Sequence, residues 1–342
     1  MRAVVMRNRA LVVDTLPDPE PGPGEVLVKT LACGICGSDL HALRHMDELV
    51  DAAADTGAPF VLDPAKDIVM GHEFCAEIVD FGPGTQRTLQ AGDRVVSMPI
   101  AFGASGLQGI GYSNEYTGGY GELMRLAELF LLPVPNGLSS DHAALTEPMA
   151  VGAHAVNKAR LAPGDVPLVI GTGPVGLAVI AALRLRGVEP IVAADFSPLR
   201  RRLAAQMGAH VVVDPAARPA IEAWREAAGA RACVAFECVG IPGLLHQVMR
   251  DVPRETRVVV VGVCMEDDRI RPALGINKEL SLQFVLGYQP DEFAQTLTDI
   301  AEGRLPVAPL VTGHVGVDGV PSAFEALAQP DAHAKILVEP WR

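Results

Sequence analysis

Cys36, His72 and Glu147 supply a thiol, an imidazole and a carboxylate. Zinc accepts all three donor types, and a catalytic zinc site keeps one position open for water or substrate. Each residue alone is unremarkable. An isolated cysteine is commonly a small buried hydrophobe, and an isolated histidine a hydrogen-bonded structural group. Cys33-x-x-Cys36 also has the spacing of a redox pair, but no thioredoxin-like strand–helix–strand pattern surrounds it. The reading that uses all three donors is a catalytic metal site with Cys36 and His72 as ligands. Glu147, in Leu145-Thr146-Glu147-Pro148, is the candidate for the third anionic position.

A second chemistry is written in Gly171-Thr172-Gly173-Pro174-Val175-Gly176. G-x-G-x-x-G is weak by itself, but here an apolar strand precedes it and a helical pattern follows, as dinucleotide binding requires. Gly171 permits the tight turn, Gly173 lets a pyrophosphate approach the backbone, and Gly176 lets helix and strand pack closely. The helix N-terminus, with Pro174 and Val175 in its first turn, turns N–H groups and a positive dipole end towards the phosphates. Asp195 closes the next strand at the spacing of a ribose-binding acid. Its carboxylate would accept both ribose hydroxyls and repel a 2′-phosphate, which favours NAD. Ser197, Arg200, Arg201 and Arg202 offer contacts to a 2′-phosphate, so NADP is the less favoured cofactor, and an arginine such as Arg200 also covers the ribose of NAD. Asp195 as a simple helix cap is the structural alternative.

These residues need two different frames. The first third reads as short strands broken by Gly and Pro: residues 3–5, 11–13, 25–29, 68–69, 77–79 and 94–97, a barrel-like pattern. Residues 42–67 are polar and mixed, in part helical, and are expected to shape the substrate pocket. Residues 101–121 are Gly-rich and read as a long loop. From residue 166 strands alternate with helices, which means a parallel, doubly wound sheet. Strands are expected at 166–170, 191–194, 211–213, 233–236 and 257–261, with helices at 175–186, 199–207 and 219–228. Beyond 285 the alternation ends; 292–302 and 320–327 read as helices and 334–338 as a closing strand. The fold class is α/β, with a β-rich catalytic domain at 1–148 and 286–342 and a nucleotide-binding domain at 149–285.

Composition narrows the partners. The chain has 342 residues and a net charge of -13; an acidic surface repels phosphate backbones, so nucleic acid is excluded as a partner. Six cysteines form no dense framework and read as reduced thiols. No signal-peptide pattern opens the chain, and every apolar run is shorter than a membrane span. The expected location is the cytoplasm, with no membrane partner.

Cys-Gly-Ile-Cys-Gly-Ser-Asp-Leu-His at 33–41, Gly-His-Glu at 71–73, Glu-Pro-Met-Ala-Val-Gly-Ala-His at 147–154 and Gly-x-Gly-Pro-Val-Gly at 171–176 together resemble the zinc-containing medium-chain dehydrogenase/reductase family, in its sorbitol and threonine dehydrogenase branch. The resemblance spans nearly the whole chain. It implies a GroES-like catalytic domain, a Rossmann domain, an active site in the cleft between them, and a homo-oligomer, dimer or tetramer. It implies that Cys36, His72 and Glu147 hold one catalytic zinc and that Glu73 ligates it in some states. It implies that Asp39 orients a histidine ligand, that Ser38 and His41 relay a proton, and that Val151 packs against the nicotinamide. The expected reaction moves a hydride between a secondary or polyol-type alcohol and NAD. A zinc-free NADPH-dependent quinone or enoyl reductase would not need the metal triad, and a non-catalytic nucleotide-binding protein would bind cofactor without turnover. Many relatives carry a second zinc on four cysteines in a lobe matching 97–121. That segment has no cysteine or histidine here, so a single zinc is expected.

Overall fold

The computed structural model describes residues 1–56, 62–104 and 106–342. Part of the 42–67 segment, residues 57–61, therefore lies outside the described residues, as does residue 105. The chain divides into two compact units. The first holds Met1–Glu147, Val311–Gln329 and Lys335–Arg342; the second holds Pro148–Leu310 and Pro330–Ala334. Residues 286–310, which the sequence reading joins to the catalytic domain, lie in the second unit. Helix Pro290–Ala301 is tied there by Glu292, whose carboxylate meets His154 Nδ1 at 2.6 Å and also accepts from Asn157.

The first unit is a β structure organised by its longest strand, Glu25–Gly34. That strand pairs antiparallel with Glu73–Phe81, with Leu123–Ala127 at its start, and with Lys335–Val338 at its end. Its inward positions Val26, Val28, Thr30 and Ala32 are buried, the period-2 alternation of a strand with one face in the core. Register is what matters for function. Gly34 lies opposite both Glu73 and Leu337, so Cys36, His72 and Lys335 are brought to the same end of the sheet. The Gly-rich stretch expected as loop contains a hairpin, Ile100–Gly103 paired with Gly106–Gly109. Gly106, at φ +102, takes a backbone shape that a Cβ would strain.

The second unit is built on a six-stranded sheet, parallel throughout. Its spatial order is Val211–Val213, Val192–Ala194, Val166–Ile170, Cys233–Glu237, Arg257–Val260, Ser281–Phe284. The strand that comes first in sequence stands in the middle and the order reverses beside it, the 3-2-1-4-5-6 arrangement of a dinucleotide-binding fold. Val166–Val169 is fully buried, because helices cover both faces of such a sheet and its strands must be apolar on both sides. Helix Pro174–Leu185 opens with Gly173 as N-cap and Pro174 in its first turn, where a missing N–H costs nothing. Helix Pro198–Met207 is stopped by the left-handed Gly208. Gly152 lets helix Thr146–Lys158 pack tightly, since a Cβ there would stand 2.4 Å from the Ala178 backbone.

Candidate active site

Cys36 follows strand Glu25–Gly34 and is the N-cap of helix Gly37–Arg44, so Ser38, Asp39 and His41 stand on a helix. The reason is local. Cys36 is a poor cap by type, but Asp39, in the first turn, reaches back to accept from the Cys36 N–H at 3.0 Å, half of a capping box. His72 and Glu73 come from the start of the facing strand. One ligand atom each from Cys36, His72 and Glu73 lie within 4.8 Å of one another.

Asp39 is the hub of this region. It is fully buried and accepts from the Tyr120 hydroxyl at 2.5 Å, the Tyr112 hydroxyl at 2.9 Å and the Cys36 amide. His72 Nδ1 stands 3.4 Å from its other side, too long and bent for a hydrogen bond, so that nitrogen has no partner within bonding geometry. Burial alone would push the Asp39 carboxyl up; the His72 ring, the Tyr120 hydroxyl and the Cys36 amide hold it below the usual carboxylate range instead. Burial and the Asp39 charge push both tyrosine phenols up, so both remain hydrogen-bond donors. With its proton on Nδ1, facing Asp39, His72 offers the Nε2 lone pair as a ligand, the usual carboxylate–histidine arrangement of metal sites.

Lys335 was invisible to sequence reasoning. It is 1% exposed, and its ammonium lies 2.7 Å from both oxygens of fully buried Glu73 and 3.0 Å from the Ile35 carbonyl. Gly34 makes room for the carboxylate, since a Cβ there would stand 2.0 Å from it. Burial works to lower the Lys335 pKa, but Glu73, Cys36 and Glu147 together raise it. Of these three, Glu73 is the one in direct contact with the buried cation. Glu147 is itself buried but stands outside the group formed by Cys36, His72 and Glu73. Thiol, imidazole and carboxylate with one buried histidine nitrogen turned to a carboxylate fit zinc well. A second group, Asp141, His314 and Glu339, also brings ligand atoms within 4.8 Å. It is half-exposed, and Glu339 is already paired with Arg342.

In the second unit Gly171 sits at φ +85, and a Cβ on Gly176 would stand 2.0 Å from the Gly171 carbonyl. A Cβ on Gly173 would meet nothing closer than the Arg200 guanidinium at 3.9 Å, so the protein itself leaves this face of the turn open. Asp195 accepts from Thr172 N at 2.7 Å and Ser197 N at 2.8 Å, which fixes its carboxylate beside the turn. The cap of the following helix is Ser197, not Asp195. The Ser197 hydroxyl is further committed to the Pro330 carbonyl, and Arg201 to the Asp195 and Phe196 carbonyls and Asp214. Arg200 keeps a buried Nε with no partner. Val151 lies half-buried on helix Thr146–Lys158.

Comparison with known proteins decides the family. Residues 22–136 match the alcohol dehydrogenase GroES-like domain and residues 174–302 the zinc-binding dehydrogenase family. The (R,R)-butanediol dehydrogenase of Bacillus subtilis is 34% identical over 352 residues, covering 99% of this chain and 100% of that protein. The chain belongs to the zinc-type medium-chain dehydrogenase/reductase family. The crystal structure of the B. subtilis 2R,3R-butanediol dehydrogenase superposes with a TM-score of 0.84 at 31% identity, covering 99% of both chains. B. subtilis sorbitol dehydrogenase is 28% identical over 358 residues, with 100% of this chain and 98% of that protein covered. A zinc-binding dehydrogenase from Sinorhizobium meliloti 1021, solved bound to NADP, has a TM-score of 0.82 at 26% identity over 99% of both chains. This chain is therefore an oxidoreductase of the alcohol and polyol dehydrogenase kind, with the two-domain GroES-like and Rossmann fold. Among the described residues no helix is long and apolar enough to cross a membrane.

Proposed function

We propose that the protein is a zinc-dependent dehydrogenase that oxidises a secondary alcohol, a vicinal diol or polyol, with NAD. The observation that carries this reading is the convergence of Cys36, His72 and Glu73 within 4.8 Å in a chain of this family. Cys36 and His72 would hold the metal, with Glu147 as third ligand and Glu73 exchanging with it. Bound there, zinc supplies Lewis acidity towards an alcohol oxygen, and the nicotinamide ring supplies the hydride acceptor. The chain does the rest. Ser38 accepts the alcohol proton and His41, one helical turn on, passes it to solvent. Asp39 holds the His72 ring in place. Gly171, Gly173, Pro174, Val175 and Gly176 receive the pyrophosphate, Asp195 the ribose diol, and Val151 the nicotinamide face.

The glutamate at 147, which the family resemblance sets against cysteine in other branches, and the butanediol and sorbitol dehydrogenase relatives support a polar, multiply hydroxylated substrate. For the cofactor, Ser197 and Arg201 are spent on the fold, which leaves Asp195 to repel a 2′-phosphate and supports NAD. Initial rates with 2,3-butanediol stereoisomers, sorbitol and threonine against each cofactor test this reading; activity confined to NADP-linked enone or quinone reduction would overturn it. Replacing Asp195 with alanine is expected to raise the KM for NAD about tenfold or more, the scale of one or two charged hydrogen bonds, and to narrow the preference over NADP. An unchanged cofactor ratio would remove Asp195 from the ribose site. A homo-oligomer is supported by strand Ser281–Phe284, which among the described residues pairs on one side only, and beside which Phe284, Leu286 and Ile276 are 63%, 82% and 74% exposed.

A further inference from the structure

The segment from 97 to 121, which has no cysteine or histidine, sends two hydroxyls into the site. Tyr120 ends on Asp39 alone. Tyr112 does more: its hydroxyl oxygen is 2.9 Å from Ser38 Oγ and 2.9 Å from Asp39 Oδ1, and its ring lies against His72 with centroids 5.4 Å apart. A phenol has one proton for these two neighbours. Asp39 is a buried carboxylate that can only accept, and a bond to an ionised acceptor is roughly twice as strong as one to a neutral hydroxyl. The Tyr112 proton therefore goes to Asp39. Ser38, the remaining neighbour, has a proton of its own and satisfies the contact by donating it to the Tyr112 oxygen. That direction of the chain, Ser38 to Tyr112 to Asp39, leaves Ser38 with only lone pairs for a third partner.

We infer that Tyr112 is a positioning residue that presets Ser38 as a hydrogen-bond acceptor towards the substrate hydroxyl. The inference rests on the proposed dehydrogenase reading, in which the substrate hydroxyl first donates a hydrogen bond to Ser38. As the alcohol O–H breaks and a new Ser38 O–H forms, Ser38 turns its original proton from Tyr112 to His41 and releases it there, so Ser38 stays neutral and the proton leaves to solvent. Without the Tyr112 hydroxyl, the Ser38 O–H is free to turn among its staggered positions and to donate to the alcohol or to a backbone carbonyl one turn back. In either state the alcohol proton has no aligned acceptor. Tyr112 touches neither cofactor nor reacting atoms in this scheme; it acts through Ser38 and, by its ring, keeps His72 flanked.

The test is a double-substitution cycle with Tyr112→Phe, which keeps the ring against His72, and Ser38→Ala. Tyr112→Phe is expected to retain stoichiometric zinc and NADH affinity while kcat/KM for alcohol oxidation falls about tenfold, the scale of one net hydrogen bond. In the Ser38→Ala background the same change is expected to have no further effect, because its target is gone. A second cycle, read by thermal unfolding of the zinc-stripped protein, is expected to show the same non-additivity, the two changes together lowering Tm by less than the sum of each alone. A wild-type rate for Tyr112→Phe, or additive effects in either cycle, would overturn the inference. Should the unsubstituted enzyme fail to oxidise alcohols at all, the dehydrogenase reading falls, while the unfolding cycle still reports on the Ser38–Tyr112 contact.

Discussion

Cys36→Ser is expected to strip the catalytic metal and reduce alcohol oxidation by ~1000-fold or more, while NADH binding is retained. A Lewis acid at a developing alkoxide contributes several kcal/mol to transition-state stabilisation, and each 1.36 kcal/mol is about tenfold in rate. Serine matches the size of cysteine but holds its proton near neutral pH and is a poor zinc ligand. The ligands left, His72 and Glu147, are too small a set, and Glu73 is a poor replacement because Lys335 engages both of its oxygens. NADH affinity is expected to rest on the Gly171–Gly176 turn and Asp195, which share no element with Cys36. The measurements are zinc content, NADH fluorescence titration and initial rate on one preparation. Full zinc occupancy with normal turnover would remove Cys36 from the metal site.

Lys335→Met is expected to cost about 3–5 kcal/mol of stability, the effect of removing one partner from a buried ion pair. Methionine keeps the stem in its apolar channel, so the loss isolates the charge. Glu73 would be left fully buried with its ammonium gone, and Gly34, shaped around that carboxylate, offers no alternative donor side chain. Adding Glu73→Gln should recover much of the loss, because the uncompensated charge is what destabilises the single variant. Urea unfolding of both variants, followed by circular dichroism, makes the comparison. A single variant as stable as the parent would mean that the Lys335–Glu73 pair is not the buried contact described here.

What is legible in the chain and what is hidden differ by physical cause. The cofactor turn was legible because its glycines answer to backbone geometry: a Cβ on Gly176 clashes within the turn whatever surrounds it. The parallel sheet was legible because a strand covered on both faces must be a continuous apolar run, as 166–170 is. Cys36 and His72, which the structure brings together with Glu73, stand out in the sequence by their donor types. Lys335 does not, since a lysine beside a terminal strand ordinarily faces water and only the register opposite Gly34 and Glu73 turns it inward. Tyr112 and Tyr120 lay hidden in a glycine-rich stretch that composition reads as loop. Helix Gly37–Arg44 was missed because its cap comes from Asp39 reaching backwards, not from a Ser, Thr or Asp at the cap position. Helix Pro290–Ala301 was assigned to the wrong unit because the Glu292–His154 contact joins residues 138 apart in sequence.

The central claim is a single catalytic zinc on Cys36 and His72, and elemental analysis during chelation tests it most directly. The segment from 97 to 121 is tied down by its own contacts: Tyr116 donates to Glu25 at 2.6 Å, Ser113 to Gln108 at 2.9 Å, and Arg125 to the Glu115 carbonyl at 2.9 Å. The protein is therefore expected to contain one tightly bound zinc per chain, and a chelator is expected to remove it in step with alcohol oxidation while the thermal unfolding transition persists. Undiminished activity in fully metal-free protein, or two tightly bound zincs with cooperative unfolding on chelation, would contradict the account.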